Sequence, residues 1–471
     1  KKSDTLAGFL ANSGVGRGDK VALFMRNSAE FIYAIFAISK LGAVSVPINT
    51  FLKEGELSYI LEDSGAKVLI SSMVHEKVCR HEEAQQHIEL TIWEGEATEY
   101  NTRHVPFAQA MSFPDSAEDS STEIDELAVI IYTSGTTGKP KGAMLSYRNI
   151  FSNAYGGINH LNIRTKDRFI VFLPMFHSFT FSIGVILPLY LGSSMVVIPS
   201  LKPFSNIFKQ VLLKRVTIFL GIPDVYNALV KAKLPWYFMW FNNVRGFVSG
   251  AAALQPKTLD GMQKKFKRAV LLEGYGLSEA SPAVCINPLS LQKAKSVGTA
   301  FSHYEMKIVD EKMVEISRGE VGDIIVKGDN IMMGYLNRPE ATEETVINGW
   351  LLTGDMGYMD EDDYLFIVDR KKDLIISKGI NIYPREIEEV IDGFAGVASS
   401  AVIGIVDEKS GEIPIAYIEL DEGVESVDES KLKKYLRDNL ANYKVPKQLH
   451  FIDELPKNAT GKVLKRELKK C

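Results

Sequence analysis

ELAVIIYTSGTTGKPKG, from Glu126 to Gly142, joins an apolar run to a turn-rich segment, Tyr132–Gly142, with three glycines, four aliphatic hydroxyls and two lysines in eleven residues. The run reads as a buried strand. Glycines at its end let backbone N–H groups close on phosphate oxygens, hydroxyls add donors, and Lys139 and Lys141 supply positive charge. Because Pro140 follows Lys139, the segment is not the G-x-x-x-x-G-K-[ST] nucleotide loop, which argues against a P-loop ATPase or GTPase. A plain flexible loop is the alternative, and the segment alone leaves both readings open.

Outward from this loop, strand-like runs (KVALFM, AVSVPI, KVLISS, AVIIYT, MVVIPS, VTIFLGI) alternate with longer helix-compatible segments, which predicts an α/β architecture. AEFIYAIFAISKLG (residues 29–42) has helical spacing and ends in a stop glycine. At 471 residues the chain exceeds one ordinary core. The acidic, Ser-rich segment 111–126 reads as a surface linker. From Asp369 the texture changes: DRKKDLIISKG, a helix opened by Pro384, two strands, a helix ESKLKKYLRDNLANY (429–443) and the tail LPKNATGKVLKREL. A large multi-subdomain α/β domain (1–371) and a small, mobile α+β domain (372–471) are therefore expected.

A formal charge of -5 without long single-sign blocks gives no reason to expect nucleic acid. Three scattered cysteines, Cys79, Cys285 and Cys471, suggest neither a metal cluster nor a disulfide framework, so a reducing, cytoplasmic setting is expected. KKSDTLAGFL does not read as a signal peptide, and the chain is expected to start after the native N-terminus. FSIGVILPLYLG (181–192) is too short for a transmembrane span and carries a Pro, which predicts a buried core segment.

The loop resembles the signature of the adenylate-forming superfamily, which includes acyl-CoA synthetases, luciferases and the adenylation domains of peptide synthetases. SGAAAL (249–254), EGYGLSEASP (273–282), GWLLTGD (349–355), DRKKDLIISKGINIYPREIE (369–388) and PKNATGK (456–462) are similar to further motifs of that superfamily, in the expected order. The resemblance covers nearly the whole chain and is weakest over residues 74–126.

For such a protein the resemblance implies that ATP and a carboxylate give an acyl-adenylate and pyrophosphate, after which the acyl group passes to a thiol. Attack of a carboxylate on the α-phosphorus brings two anions together, so positive charge is needed at both. Lys462 matches the lysine that serves this purpose, and Thr133, Ser134, Gly135, Thr136, Thr137 and Lys141 would hold the phosphates. Glu279 would hold Mg²⁺, a hard cation suited to carboxylate oxygen; Ser278 would give a hydroxyl to the phosphate. Glu273, Gly274, Tyr275 and Gly276 line the nucleotide, with Tyr275 stacked on adenine and Gly250, Ala251 and Ala252 forming the opposite wall. Asp355 and Arg370 match the ribose-binding pair. Lys372, two positions after Arg370, is the hinge candidate, and Ser377, Lys378 and Gly379 would line the path of coenzyme A.

LPMFHSFTFSIGVILPLYLG, GIPDVYNALV and LLEGYGLSEASP look most like medium- and long-chain fatty acyl-CoA synthetases. The implied partners are a fatty acid, ATP and coenzyme A. No charged residue stands out as a counter-ion for an amino-acid substrate. His177 has two readings, a core histidine or a gate between carboxylate and acyl pocket. WYFMWF (236–241) reads as core packing by default, with peripheral membrane contact as the alternative. Transfer to a carrier protein in trans, and a nucleotide-binding protein without turnover, are the rival functions. A homodimer stays open.

Overall fold

A computed structural model describes residues 1–471 other than 97–100, 102, 115–116, 118–119, 134–138, 201–202, 251, 408–409, 459–460 and 470–471. The architecture is the expected one: a large α/β region of several subdomains followed by a smaller α+β domain. Among the described residues four sheets carry it.

The first has eight strands in the spatial order Gly334–Tyr335, Lys141–Ser146, Leu127–Thr133, Val44–Pro47, Lys20–Phe24, Val68–Ser72, Leu90–Glu94, His104–Pro106. Its six later-named strands are mutually parallel and buried along most of their length, as strands covered by helices on both faces must be. One such helix, Ala29–Lys40, starts where the Ser28 side chain accepts the Phe31 N–H, and stops before Gly42, whose φ of +64° suits glycine. The second sheet has seven strands, in the order Thr299–Ala300, Ala283–Ile286, Val270–Gly276, Gly246–Ser249, Ile218–Gly221, Arg168–Val171, Ser194–Val197, with the last five parallel. The helix Tyr147–His160 packs between these two sheets; Ser146 and Asn149 cap its start reciprocally. Of the segment 181–192, expected to be buried core, residues 181–188 are buried, a wide helical turn Thr180–Ile186 running into the helix Leu187–Leu191, whereas Leu189 and Tyr190 are exposed at the helix end.

A third, antiparallel sheet includes the hairpin Trp350–Met359 and Leu365–Arg370. A short helical turn, Lys371–Asp373, leads from it to the fourth sheet of the small domain. There Val397–Asp407 and Gly411–Leu420 form a ten-residue ladder, covered by the helices Pro384–Asp392 and Glu429–Asn439. The second of these helices ends four residues earlier than expected. Leu440 turns to extended backbone and buries its side chain in the core.

Candidate active site

The loop motif is held between Leu127–Thr133 and Lys141–Ser146, which pair with Thr133 opposite Lys141 and Tyr132 opposite Gly142. Ser134, Gly135, Thr136 and Thr137 lie outside the described residues, as does Ala251. The base of the loop is held from below. Tyr132 donates its hydroxyl to Asp63 Oδ2 at 2.8 Å, and Arg338 Nη2 meets Asp63 Oδ1 at 3.1 Å. The Tyr59 hydroxyl receives Arg338 at 3.2 Å and donates to the Pro140 carbonyl at 3.1 Å, while Lys139 Nζ lies 4.7 Å from the Tyr59 ring. Burial and the neighbouring Asp63 carboxylate both push the Tyr132 phenol up, so it stays a neutral donor. Asp63, Tyr59 and Arg338 carried no sequence signal, because Asp63 and Arg338 are 275 residues apart.

Above the loop, Lys141 Nζ sits 5.0 Å from the centre of the Tyr335 ring, and Tyr335 donates its hydroxyl to Glu279 Oε1 at 2.8 Å. Glu279 stands in the short turn Ser278–Ala280, directly after the second sheet's strand Val270–Gly276. The Ser278 and Ser178 hydroxyls are 3.0 Å apart. The structure thus brings Lys141, Tyr335, Glu279, Ser278 and Ser178 to one mouth; Tyr335 and Ser178 are additions to the sequence reading. Among the described residues no group of three acidic, His or Cys side chains could hold a metal by itself. A single carboxylate with one oxygen engaged fits a magnesium ion whose remaining ligands are phosphate and water.

The glycines around this mouth answer first to packing. A Cβ at Gly276 would overlap the Pro282 carbonyl oxygen, one at Gly274 would stand 2.8 Å from Ile286, and one at Gly250 would stand 3.2 Å from the Phe179 ring. Ala252 is exposed. Glu273 is buried, accepts the Leu254 N–H at 3.1 Å and is pushed up to about 7 by burial, so it anchors the 250–254 loop from inside. His177 Nδ1 accepts the Phe179 N–H at 3.3 Å, and burial lowers its pKa to about 4; it is a neutral imidazole at physiological pH.

Asp355 and Arg370 face each other across the hairpin of the third sheet, and Arg370 Nε lies 3.2 Å from Asp355 Oδ1. The other oxygen, Oδ2, accepts the Tyr275 hydroxyl at 2.7 Å. Tyr275 thereby orients the carboxylate. Burial, together with Asp355, keeps its phenol protonated.

Lys462 completes the cluster from the small domain. Its backbone N–H is held by Asn458 Oδ1 at 2.9 Å, and Gly461 packs against the start of the helix Pro223–Lys231, where a Cβ would stand 3.1 Å from Asp224 Oδ2. Burial, with Arg370 and Lys372 acting in the same direction and Asp355 opposing, lowers the Lys462 pKa to about 8. Gln255 to Asp392 (2.6 Å) and Lys257 to the Val397 carbonyl (3.1 Å) join the domains beside it. Lys372 is exposed in the turn Lys371–Asp373, and desolvation of its ammonium lowers its pKa. Ser377 pairs with Ile380 around a tight turn in which Lys378 and Gly379 have φ of +51° and +78°. The backbone at Lys378 thus takes the left-handed conformation that glycine adopts more readily.

Residues 1–336 match the family model for the AMP-binding enzymes, and residues 386–462 match that for the AMP-binding enzyme C-terminal domain. The chain belongs to the adenylate-forming superfamily. It is an AMP-forming ligase by that membership, and its relatives act on varied acids. It is 34% identical to the long-chain-fatty-acid–CoA ligase of Escherichia coli O157:H7, over all of this chain and 88% of that one. It is equally 34% identical to a feruloyl-CoA synthase of Amycolatopsis, over 99% of this chain and 91% of the relative. Among solved structures, ATP-bound MatB from Rhodopseudomonas palustris superposes with a TM-score of 0.90 at 32% identity, covering 100% of this chain and 92% of MatB. Apo MatB superposes at only 0.79. The o-succinylbenzoate CoA synthetase of Bacillus subtilis with ATP and a magnesium ion gives 0.85 at 30% identity, covering 99% and 93%.

Proposed function

We propose that this adenylate-forming enzyme is a fatty acid–CoA ligase that uses ATP and Mg²⁺ and prefers medium or long acyl chains. Identity does not choose the acid, since a feruloyl and a long-chain relative stand equally near. The observation that carries the proposal is an apolar cavity of about 270 Å³ between the first sheet and the Thr180–Ile186 turn, lined by Phe36, Val129, Phe151, Phe181 and Tyr190 among others, with no charged side chain in its wall. Phe181, in that wall, donates its N–H to the His177 carbonyl at 2.8 Å, so the cavity and the candidate gate share one helical segment. Each methylene buried in such a cavity contributes about 0.8 kcal/mol, enough to select chain length without a polar contact.

Asp355, oriented by Tyr275 and Arg370, offers a carboxylate to the two ribose hydroxyls. Lys141, with the hydroxyls that the loop sequence supplies, would bind the phosphates, and Glu279, aligned by Tyr335, would hold the metal. Bound Mg²⁺ would neutralise phosphate charge. The Lys462 ammonium would support the first half-reaction by spreading positive charge over α-phosphate and carboxylate. The second half-reaction needs room for a thiol, which the small domain makes by turning about Lys372 to bring Ser377, Lys378 and Gly379 to the opening. The domain border at 371/372 belongs to this proposal, and the turn Lys371–Asp373 between two sheets supports it.

Pyrophosphate release with ATP and Mg²⁺, across straight-chain acids from acetate to oleate and with ferulate and o-succinylbenzoate beside them, tests the reading, each with and without coenzyme A. A CoA-dependent optimum at medium or long chains is expected. An optimum at ferulate or o-succinylbenzoate would overturn the acid. Single-turnover release unchanged by CoA would move the acceptor to a carrier protein, and no release with any acid would favour a protein that only binds.

A further inference from the structure

We propose that the face bearing Trp236, Tyr237, Trp240 and Phe241 attaches the protein to an anionic membrane surface. The default expectation for WYFMWF is core packing, and the structure corrects it. In the helix Trp236–Phe241 only Phe238 is buried, edge-on against Phe208 at 5.3 Å. Trp236, Trp240 and Phe241 are 72%, 66% and 68% exposed, and Tyr237 is nearly half exposed. Leu213, at the end of the adjoining helix Phe204–Leu213, extends the apolar face. One buried ring thus anchors a short helix whose other large aromatics point to solvent, the reverse of a core helix.

Charge selects the occupant. Residues 203–269 hold eleven lysines and arginines against two acidic residues, Asp224 and Asp260, in a chain of formal charge -5. Lys209, Lys214, Arg215, Lys233, Lys267 and Arg268 are exposed, and among the described residues none of them forms an ion pair with a carboxylate. Arg268 Nη1 donates to the Trp240 carbonyl at 3.1 Å, which fixes a guanidinium beside the aromatic helix. Amphipathic rings at the tip and cations of one sign around them match a bilayer interface, with rings at headgroup depth and cations against anionic lipid.

Topology leaves the ligase site clear of such a surface. The helix Pro223–Lys231 leaves the C-terminal end of Ile218–Gly221 and runs back, so Trp236–Phe241 lies where Gly246–Ser249 is about to begin, at the N-terminal ends of the parallel strands. Gly250, Gly276 and Glu279 stand at the opposite ends. The attached protein would keep its nucleotide site toward water.

The test is co-sedimentation of the full chain with vesicles of phosphatidylcholine alone and of phosphatidylcholine containing phosphatidylglycerol, read together with tryptophan fluorescence. Binding to the anionic vesicles is expected, weakened by salt and accompanied by a blue shift. The double variant W236S/W240S should lose at least tenfold in partitioning while keeping its melting temperature and its pyrophosphate release with a water-soluble acid. K233E/K267E should lose the preference for anionic lipid. Equal partitioning of W236S/W240S and the parent would overturn the proposal. So would self-association without vesicles, abolished by the same double variant, which would make the face a contact between two copies of this chain.

Discussion

Replacing Lys462 should, on the proposed function, separate the half-reactions and also expose the electrostatic cost of the present domain arrangement. A pKa lowered from the ordinary lysine value to about 8 corresponds to about 3 kcal/mol between placing this ammonium here and in water. The folded protein binds fewer protons at this site than the unfolded chain between about pH 8 and the ordinary lysine range, so the cost is fully present below pH 8 and relieved as pH rises through that window. In the proposed reaction an ATP phosphate would supply the missing anion, which would make the charge tolerable in a working enzyme. Three results are expected. Lys462→Ala loses adenylate formation by about 10² to 10³, the cost of removing one preorganised charge from a transition state, yet largely keeps thioester formation from supplied acyl-adenylate. Without ligand, the same variant melts no lower than the parent at pH 7. In the parent, kcat/KM for ATP falls above about pH 8, and Lys462→Arg, which does not titrate there, flattens that limb. The assay is pyrophosphate release against pH, beside thioester formation from chemically made acyl-adenylate. Equal loss of both half-reactions in Lys462→Ala, or an unchanged alkaline limb in Lys462→Arg, would refute the placement of this charge.

Asp63→Asn removes the carboxylate beneath the phosphate loop, and kcat/KM for ATP should fall about tenfold, or about 1.4 kcal/mol, with the order of preferred acids unchanged; ATP titrations with three acids check this. His177 stays neutral from pH 5 upward, so His177→Ala should alter chain-length preference without removing an acidic limb from the pH profile, as rates with octanoate and oleate will read. Buried Cys79, its thiol pushed up to about 12, and buried Cys285, also pushed up, should resist alkylation in the native protein and react once it is denatured, as intact mass will show. Gly276→Ala forces a Cβ into the Pro282 carbonyl, and loss of soluble folded protein is the expected result, read by expression and thermal melting.

The motifs were legible as those of the superfamily because each is a short contiguous run, recognisable without knowing what it touches in the fold. Strands and helices were legible wherever apolar spacing or a continuous apolar run marks them. By itself, then, the sequence determined the alternation of elements, the two-part architecture and the superfamily. Tertiary structure decided what depends on contacts between distant segments. Asp63 meets Arg338, Tyr335 aligns Glu279, and Tyr275 orients Asp355 only because separate strands end at one mouth. Gly276 and Gly250 owe their small size to neighbours the sequence does not place beside them. WYFMWF has no periodicity that says which ring faces inward, since six successive apolar residues cover every side of a helix. Only packing of Phe238 on Phe208 settles it, because a short helix at the rim of a sheet has one neighbour to bury against and leaves its other faces to solvent.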